Sequence, residues 1–220
     1  MKLKGFCPRS AIDIGAHDGQ WASLVKSTFP DIEILMIEPL PDNRNDLKSL
    51  ASKINASVLF ELLSDVEGEN ANFYLGGNGS SMFEPKRFHA NQVLNLTTKS
   101  LDSVLSGTPF EGPDLIKIDV QGAEHRVLKG GIRALDSVEV FVIELSIVNG
   151  YGDGLLIHEM ISFLAQRGLY LYDIAGLLRV NRTRSINELD GIFVREGTPL
   201  WSLHHFLPGD APSVTPENNF

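Results

Sequence analysis

The chain has 220 residues with 28 acidic and 19 basic side chains, a formal charge of −9, and its basic residues form no run or stripe of the kind that neutralises phosphates, so a nucleic-acid substrate is not expected. One cysteine, Cys7, excludes an intrachain disulfide framework and any zinc cluster built on several thiolates, and fits a reducing compartment. With no signal-peptide run and no span of about 20 apolar residues, the sequence reads as cytoplasmic, with one α/β domain over residues 1–207 and a disordered Pro-, Gly-, Asn- and Ser-rich tail over residues 208–220.

Short apolar runs alternate with helical patterns, which predicts βαβ units and a mainly parallel sheet. Residues 11–15 read as the first strand, residues 20–29 as a helix stopped by Pro30, and residues 32–38 as the second strand. Pro39 and Pro41 then open a helix that runs to about Ile54. Residues 57–63 read as a third strand and residues 69–75 as an added one. Gly76-Gly77-Asn78-Gly79-Ser80-Ser81 is a loop rich in residues that tolerate positive φ.

Further on, residues 92–97 read as a short strand, residues 100–105 as a helical turn, and residues 115–120 as a buried central strand interrupted only by Lys117 and Asp119. Residues 122–135 are helical, 138–145 a strand, and 155–167 a helix ended by Gly168. The last two apolar runs, residues 169–174 and 191–195, flank a polar stretch at 181–184 with no helix between them. As neighbours they must pair antiparallel.

The chemistry-bearing turn follows the first strand: Asp13-Ile14-Gly15-Ala16-His17-Asp18-Gly19. Its two glycines let the backbone turn sharply and come close to a ligand. A dinucleotide fingerprint needs G-x-G-x-x-G facing a pyrophosphate, whereas here the turn carries carboxylates at Asp13 and Asp18, which suit a cationic group and oppose a pyrophosphate. Glu38, beside Pro39 at the end of the second strand, stands where an acid takes ribose hydroxyls in nucleoside-binding α/β folds, or else is a surface acid before a proline. Ser64 and Asp65 either meet an adenine amine or make an ordinary turn.

The string Leu115-Ile116-Lys117-Ile118-Asp119-Val120-Gln121-Gly122-Ala123-Glu124, followed by Val127-Leu128-Lys129-Gly130, resembles the FkbM-type methyltransferase family. The same order of landmarks continues with the D-I-G-A-x-x-G turn, Ile37-Glu38-Pro39, the Ser80-Ser81 loop, Thr98-x-x-Leu101-Asp102, and the final strand from Asp190 to Val194. The resemblance spans about residues 11–195. It implies a class I, Rossmann-like fold: a seven-stranded, mostly parallel sheet closed by an antiparallel C-terminal hairpin, with helices on both faces.

It also implies S-adenosylmethionine as cofactor, leaving S-adenosylhomocysteine as product, and O-methylation of a hydroxyl on a sugar, glycan or secondary metabolite. The cofactor residues are then Asp13, Gly15, His17, Asp18, Gly19, Glu38, Pro39, Ser64, Asp65 and Asp119, with Ser80 and Ser81 on a substrate loop. Two departures stand out. Gln121 replaces the family's usual Glu, so a mechanism using that carboxylate as base is unavailable, and elements that relatives carry before the first strand are missing.

An activated methyl asks the protein mainly to align a hydroxyl and remove its proton. Asp119 ends the central strand beside the strand-order switch, where α/β ligands bind, although it also suits an N-cap. Glu124 and His125 open the next helix, where an acid complements the helix dipole and a histidine titrates near neutrality. Glu144 ends an apolar strand and needs a partner or a function there.

His17 and His89 lie on cofactor-side loops, and His158, His204 and His205 fall on a helix face and the tail. None has metal-ligand spacing, so no metal is expected. The loop at 76–87, the helix at 155–167 and the segment at 181–184 are expected to wall the acceptor. A homodimer is allowed for. The competing readings are a catalytically silent scaffold and, on the same general fold, a nicotinamide oxidoreductase, which the missing G-x-G-x-x-G opposes.

Overall fold

A computed structural model of the chain describes residues 5–40, 44–86, 89–90, 92–151 and 154–202. Its elements in chain order are β1 (Ser10–Ile14), α1 (Gln20–Thr28), β2 (Glu33–Ile37), α2 (Arg44–Ile54), β3 (Ser57–Leu59), β4 (Leu62–Leu63), β5 (Asn70–Leu75) and β6 (Gln92–Lys99). They continue with α3 (Leu101–Leu105), β7 (Leu115–Ile118), α4 (Glu124–Lys129), α5 (Ile132–Ser137), β8 (Val140–Ser146), α6 (Ile157–Ala165), β9 (Leu169–Arg179), β10 (Ile186–Arg195) and α7 (Pro199–Ser202). Pro41, His204, His205 and the tail from 208 lie outside the described residues.

Seven strands form one sheet in the order β3-β2-β1-β7-β8-β10-β9. The first five pair in parallel, and β10 pairs antiparallel with both β8 and β9. This is the sheet that the resemblance implies, closed by the expected hairpin.

Alternation of side chains across each strand splits the core into two layers. Ile12, Ile14, Ile116, Ile118, Phe141 and Ile143 face one way and pack with α3, α4, α5 and α6. Ala11, Met36, Leu115, Val140 and Val142 face the other way and pack with residues of α1, α2 and α7. Helices therefore cover both faces.

Three expected elements change. Residues 57–63 are two strands, not one: β3 pairs with β2, whereas β4 belongs to a second, three-stranded sheet of order β4-β6-β5. The chain crosses between the sheets at Phe60 and Glu61, an apolar-polar step inside a run that reads as continuous. The helix expected over 122–135 breaks into α4 and α5 at Gly130-Gly131. A Cβ at Gly130 would lie 2.2 Å from the Ser64 carbonyl oxygen and one at Gly131 2.6 Å from Leu101 Cδ2, so the glycines permit close packing that an unbroken helix would prevent. Finally, β9 and β10 extend further than expected, because Asp173, Ile174, Ala175 and Leu177–Arg179 on the outer strand are exposed and lack an apolar-inward pattern.

At the base of the sheet, Arg195 gathers the ends of two helices. Its Nε donates to the Val138 carbonyl at 2.7 Å, Nη1 to the Arg167 carbonyl at 3.0 Å, and Nη2 to the Leu135 carbonyl. These carbonyls end or follow α5 and α6, so one guanidinium serves as a common C-terminal cap.

Candidate functional site

The C-terminal ends of β1, β2 and β7 meet through backbone alone. Gly15 has φ +77°, its N–H donates to the Ile37 carbonyl at 2.9 Å, and Asp119 N–H donates to the Ile14 carbonyl at 3.0 Å. A Cβ on Gly15 would lie 1.8 Å from the Asp119 carbonyl oxygen, so only glycine admits this approach. His17 follows with φ 48°, and its N–H donates to Glu38 Oε2 at 2.7 Å while the Leu40 N–H donates to Oε1 at 2.9 Å. Glu38 is thus a buried clamp between the two loops, and burial pushes its pKa up despite those bonds.

These loops wall a cavity of about 580 Å³. Gly15, His17, Asp18, Glu38, Pro39 and Asp119 line it, as does Ser80 from the 76–81 loop. Met82, like Ser80, comes from the 76–87 loop expected beside the ligand, whereas the rest of the apolar wall was not anticipated: Trp21, Leu40, Leu62, Leu63 and Phe73, joined by Glu61. Leu62 and Leu63 were hidden by the split third strand, and Phe73 comes from the second sheet, whose position over the first sheet has no local sequence signal.

Several expected residues stand behind the wall. Asp13 is fully buried, facing the α1 side with Lys117 as its register partner on β7. Gly19, φ +78°, packs where a Cβ would lie 2.2 Å from Leu50 Cδ2. The Ser64 hydroxyl donates to Asp65 at 3.1 Å, and Asp65 pairs with Arg126 at 3.5 Å, which ties the end of β4 to α4. Buried Ser81 donates to the Gln121 carbonyl at 2.7 Å, locking the 76–81 loop to the turn after β7.

Glu124 is buried at the start of α4, where its Oε1 accepts the N–H groups of Val120 at 3.1 Å and Gly122 at 3.0 Å. Burial raises its pKa to about 7. His125 is buried next to it, stacked on Phe83 with ring centroids 6.3 Å apart.

From the cavity wall the polar side chains form a connected row, with Lys117, Asp119 and Gln121 lining the cavity and Glu144 outside it. Lys117 Nζ lies 3.1 Å from Asp119 Oδ2 and 3.9 Å from Asp13 Oδ1. Gln121 Nε2 donates to Asp119 Oδ1 at 2.9 Å and faces both Glu144 oxygens, at 3.3 and 3.2 Å. Burial, then the charges of Asp119, Glu124, Glu188 and Asp190, hold the Glu144 pKa well above the ordinary range. Glu144 also borders a smaller cavity of about 250 Å³ with Glu188, Asp190 and Leu177, Leu178 and Leu189 of the hairpin. Neither α6 nor residues 181–184 line either cavity; α6 packs into the core and 181–184 make the hairpin turn. Among the described residues no group of three or more His, Cys, Asp or Glu side chains is arranged to hold a metal ion, and no helix is long and apolar enough to cross a membrane.

The model of the methyltransferase FkbM domain matches residues 13–171. The chain belongs to the FkbM methyltransferase domain family. Within the domain, the glycine turn, the Glu38 clamp and the Asp119 end of β7 all fall inside the matched segment.

Among curated proteins, this FkbM domain is 28% identical over 152 residues to the 2-O-methyltransferase NoeI of Sinorhizobium fredii, covering 61% of this chain and 62% of that protein. It is 25% identical over 144 residues to the hexuronic acid methyltransferase AglP of Haloferax volcanii, covering 60% of this chain and 54% of that protein. The chain therefore spans less than two thirds of the length of both. In fold it is similar to the FkbM methyltransferase of Methylobacillus flagellatus, with TM-score 0.53 and 15% identity over 83% of this chain and 43% of that one. It is similar also to the fibrillarin pre-rRNA processing protein of Methanococcus jannaschii, with TM-score 0.52 and 13% identity over 87% of this chain and 68% of that one.

Proposed function

We propose that this FkbM domain is an S-adenosylmethionine-dependent O-methyltransferase acting on a hydroxyl of a sugar, glycan or similar hydroxylated metabolite. The observation that carries the cofactor reading is a single cavity, at the C-terminal edge of a parallel sheet, lined by both Glu38 and Asp119. Its residues fit the cofactor. Gly15 lets the ends of β1 and β7 close up beneath the cavity, and Leu62, Leu63 and Phe73 offer apolar faces to a planar base. Glu38 retains lone pairs beyond the two that bind backbone N–H groups, which suits a ribose diol. Asp18 and Asp119 supply negative charge for an ammonium group. Asp13 supports this site from below, through Lys117.

When bound, the cofactor supplies a methyl group that already carries its own activation. The chain's contribution is placement and proton removal. Lys117 and Gln121 fix the Asp119 carboxylate from two sides. Glu144, held at a raised pKa beside the second cavity, receives the hydroxyl proton. The relatives' names, 2-O-methyltransferase and hexuronic acid methyltransferase, support a sugar hydroxyl as acceptor.

Calorimetry with S-adenosylhomocysteine tests the cofactor reading. Binding is expected for the wild type, and Glu38→Ala should weaken it by about 10- to 100-fold, the loss of two hydrogen bonds to a carboxylate. Folded protein that does not bind overturns it. A turnover assay for S-adenosylhomocysteine release with hexuronic and other sugars separates an enzyme from a silent scaffold.

A further inference from the structure

We infer that Gln121 is a positioning residue: a permanent hydrogen-bond donor, independent of pH, that holds the Asp119 and Glu144 carboxylates together. The inference rests on the methyltransferase reading for its kinetic consequence, but not for its geometry. The Gln121 amide has one orientation that satisfies its surroundings. The Tyr151 hydroxyl, whose single hydrogen can point to Oε1 at 2.8 Å or to the Gly79 carbonyl at 3.3 Å, is compatible with Oε1 as the acceptor end, and the two acids settle the orientation. Nε2 is left facing Asp119 and Glu144, and a flipped amide would set a carbonyl oxygen against two carboxylates.

The backbone enforces the same placement. Gln121 has φ 55° and Gly122 φ 94°, and a Cβ on Gly122 would lie 2.5 Å from Tyr151 Cβ, so the tyrosine reaches the amide only because residue 122 is glycine. The Ser81 hydroxyl holds the Gln121 carbonyl at 2.7 Å. One residue is therefore gripped by the 76–81 loop, by the segment after β8, and by the two acids it joins.

A titratable side chain at this position would behave differently. The charged groups around it are Lys117 and Asp119 from β7 and its turn, Glu144 from β8, Glu188 and Asp190 from β10, Glu124 from α4 and Asp13 from β1. Carboxylates outnumber the lone ammonium in that set six to one. A glutamic acid at 121 would bridge only while protonated, and its neighbours would hold that proton to higher pH than usual. A glutamine bridges at every pH.

The test uses Gln121→Glu and Gln121→Met, with carboxyl carbon-13 NMR titrations of the cofactor-free protein beside pH profiles of kcat. In Q121E the new carboxyl should titrate clearly above the ordinary glutamate value of about 4.3. Its kcat should fall about tenfold or more as pH rises through that titration, while wild type shows no such fall. Q121M keeps the shape without the donor, so Glu144 should titrate higher than in wild type and kcat should drop at every pH; it decides the matter if Q121E does not fold. An ordinary titration of the new carboxyl in Q121E, or an unmoved Glu144 in Q121M, overturns the proposal. Wild-type protein without turnover on any sugar would count against the enzyme reading alone, since the titrations still report the bridge.

Discussion

Lys117 sits in register beside Asp13 on the same face of the sheet, with its ammonium 3.9 Å from a carboxylate that is fully buried and whose oxygens make no full hydrogen bond among the described residues. Burial raises the Asp13 pKa from 3.8 to about 6, and Lys117 only partly offsets the lost hydration. The folded state therefore keeps a proton that the unfolded chain releases between those values, and Asp13 costs stability progressively as pH rises through that window. The full cost above it is about 3 kcal/mol at about 1.4 kcal/mol per pKa unit.

Asp13→Asn removes that titration. Urea unfolding of both proteins should show their stability difference moving toward the variant by as much as about 3 kcal/mol between about pH 4 and pH 7. A difference that stays constant across the range would show that Asp13 is hydrated in solution.

Lys117→Met tests the other half of the pair. Removing one partner leaves a buried charge uncompensated, so at neutral pH the variant should lose about 3 kcal/mol. Near pH 5 the loss should shrink, because Asp13 then takes up a proton and needs no counter-ion. Thermal melts at the two pH values would show this as a Tm gap that narrows on acidification.

Glu124 separates a structural carboxylate from a catalytic one. Both N–H groups it accepts bind the same oxygen, Oε1, so Glu124→Gln can keep both bonds while Glu124→Ala leaves two donors without an acceptor. The alanine variant should lose about 2–6 kcal/mol by denaturant unfolding, at about 1–3 kcal/mol for each of the two orphaned donors, while the glutamine variant stays near wild type in stability. Retained kcat in Glu124→Gln is also expected, and its collapse would return Glu124 to the proton-transfer step.

Two glycines with nearly equal φ make a controlled comparison. Gly15 and Gly68 have φ of 77° and 80°, but a Cβ at Gly68 meets nothing within 4 Å. Gly68→Ala should cost only the conformational penalty of about 1 kcal/mol. Gly15→Ala must also separate β1 from β7, and loss of folding or of S-adenosylhomocysteine binding is expected in calorimetry.

How much of this was readable beforehand depended on whether a feature is local in the chain. The Asp13–Gly19 turn, the Glu38 position and the β7 string are local, and strand ends of a parallel sheet deliver Gly15, Glu38 and Asp119 to one cavity once the βαβ order is recognised. The apolar wall from Leu62, Leu63 and Phe73 was not readable, because it depends on a second sheet docking over the first. Asp13 shows a subtler failure. Its residue type suited a cation and its strand was correct, but alternation within β1 turns it inward, toward Lys117, and one residue of parity decides between wall and core. Gln121 was noticed only as a missing carboxylate, whereas its contacts make it a donor.

The Arg195 grip at the base of the sheet implies that rigidity is distributed unevenly along the strands. One side chain there draws together the ends of α5, α6 and its own strand β10, while at the opposite rim the 76–81 loop is held by individual side-chain contacts such as Ser81 to Gln121 and Tyr151 to Gly79. Amide exchange should therefore be slowest near Val140 and Val194 and faster around residues 76–82. A molecule held in this way can loosen one rim to admit and release ligands without loosening its foundation, so the entropy lost on binding is confined to the loops that touch the ligand.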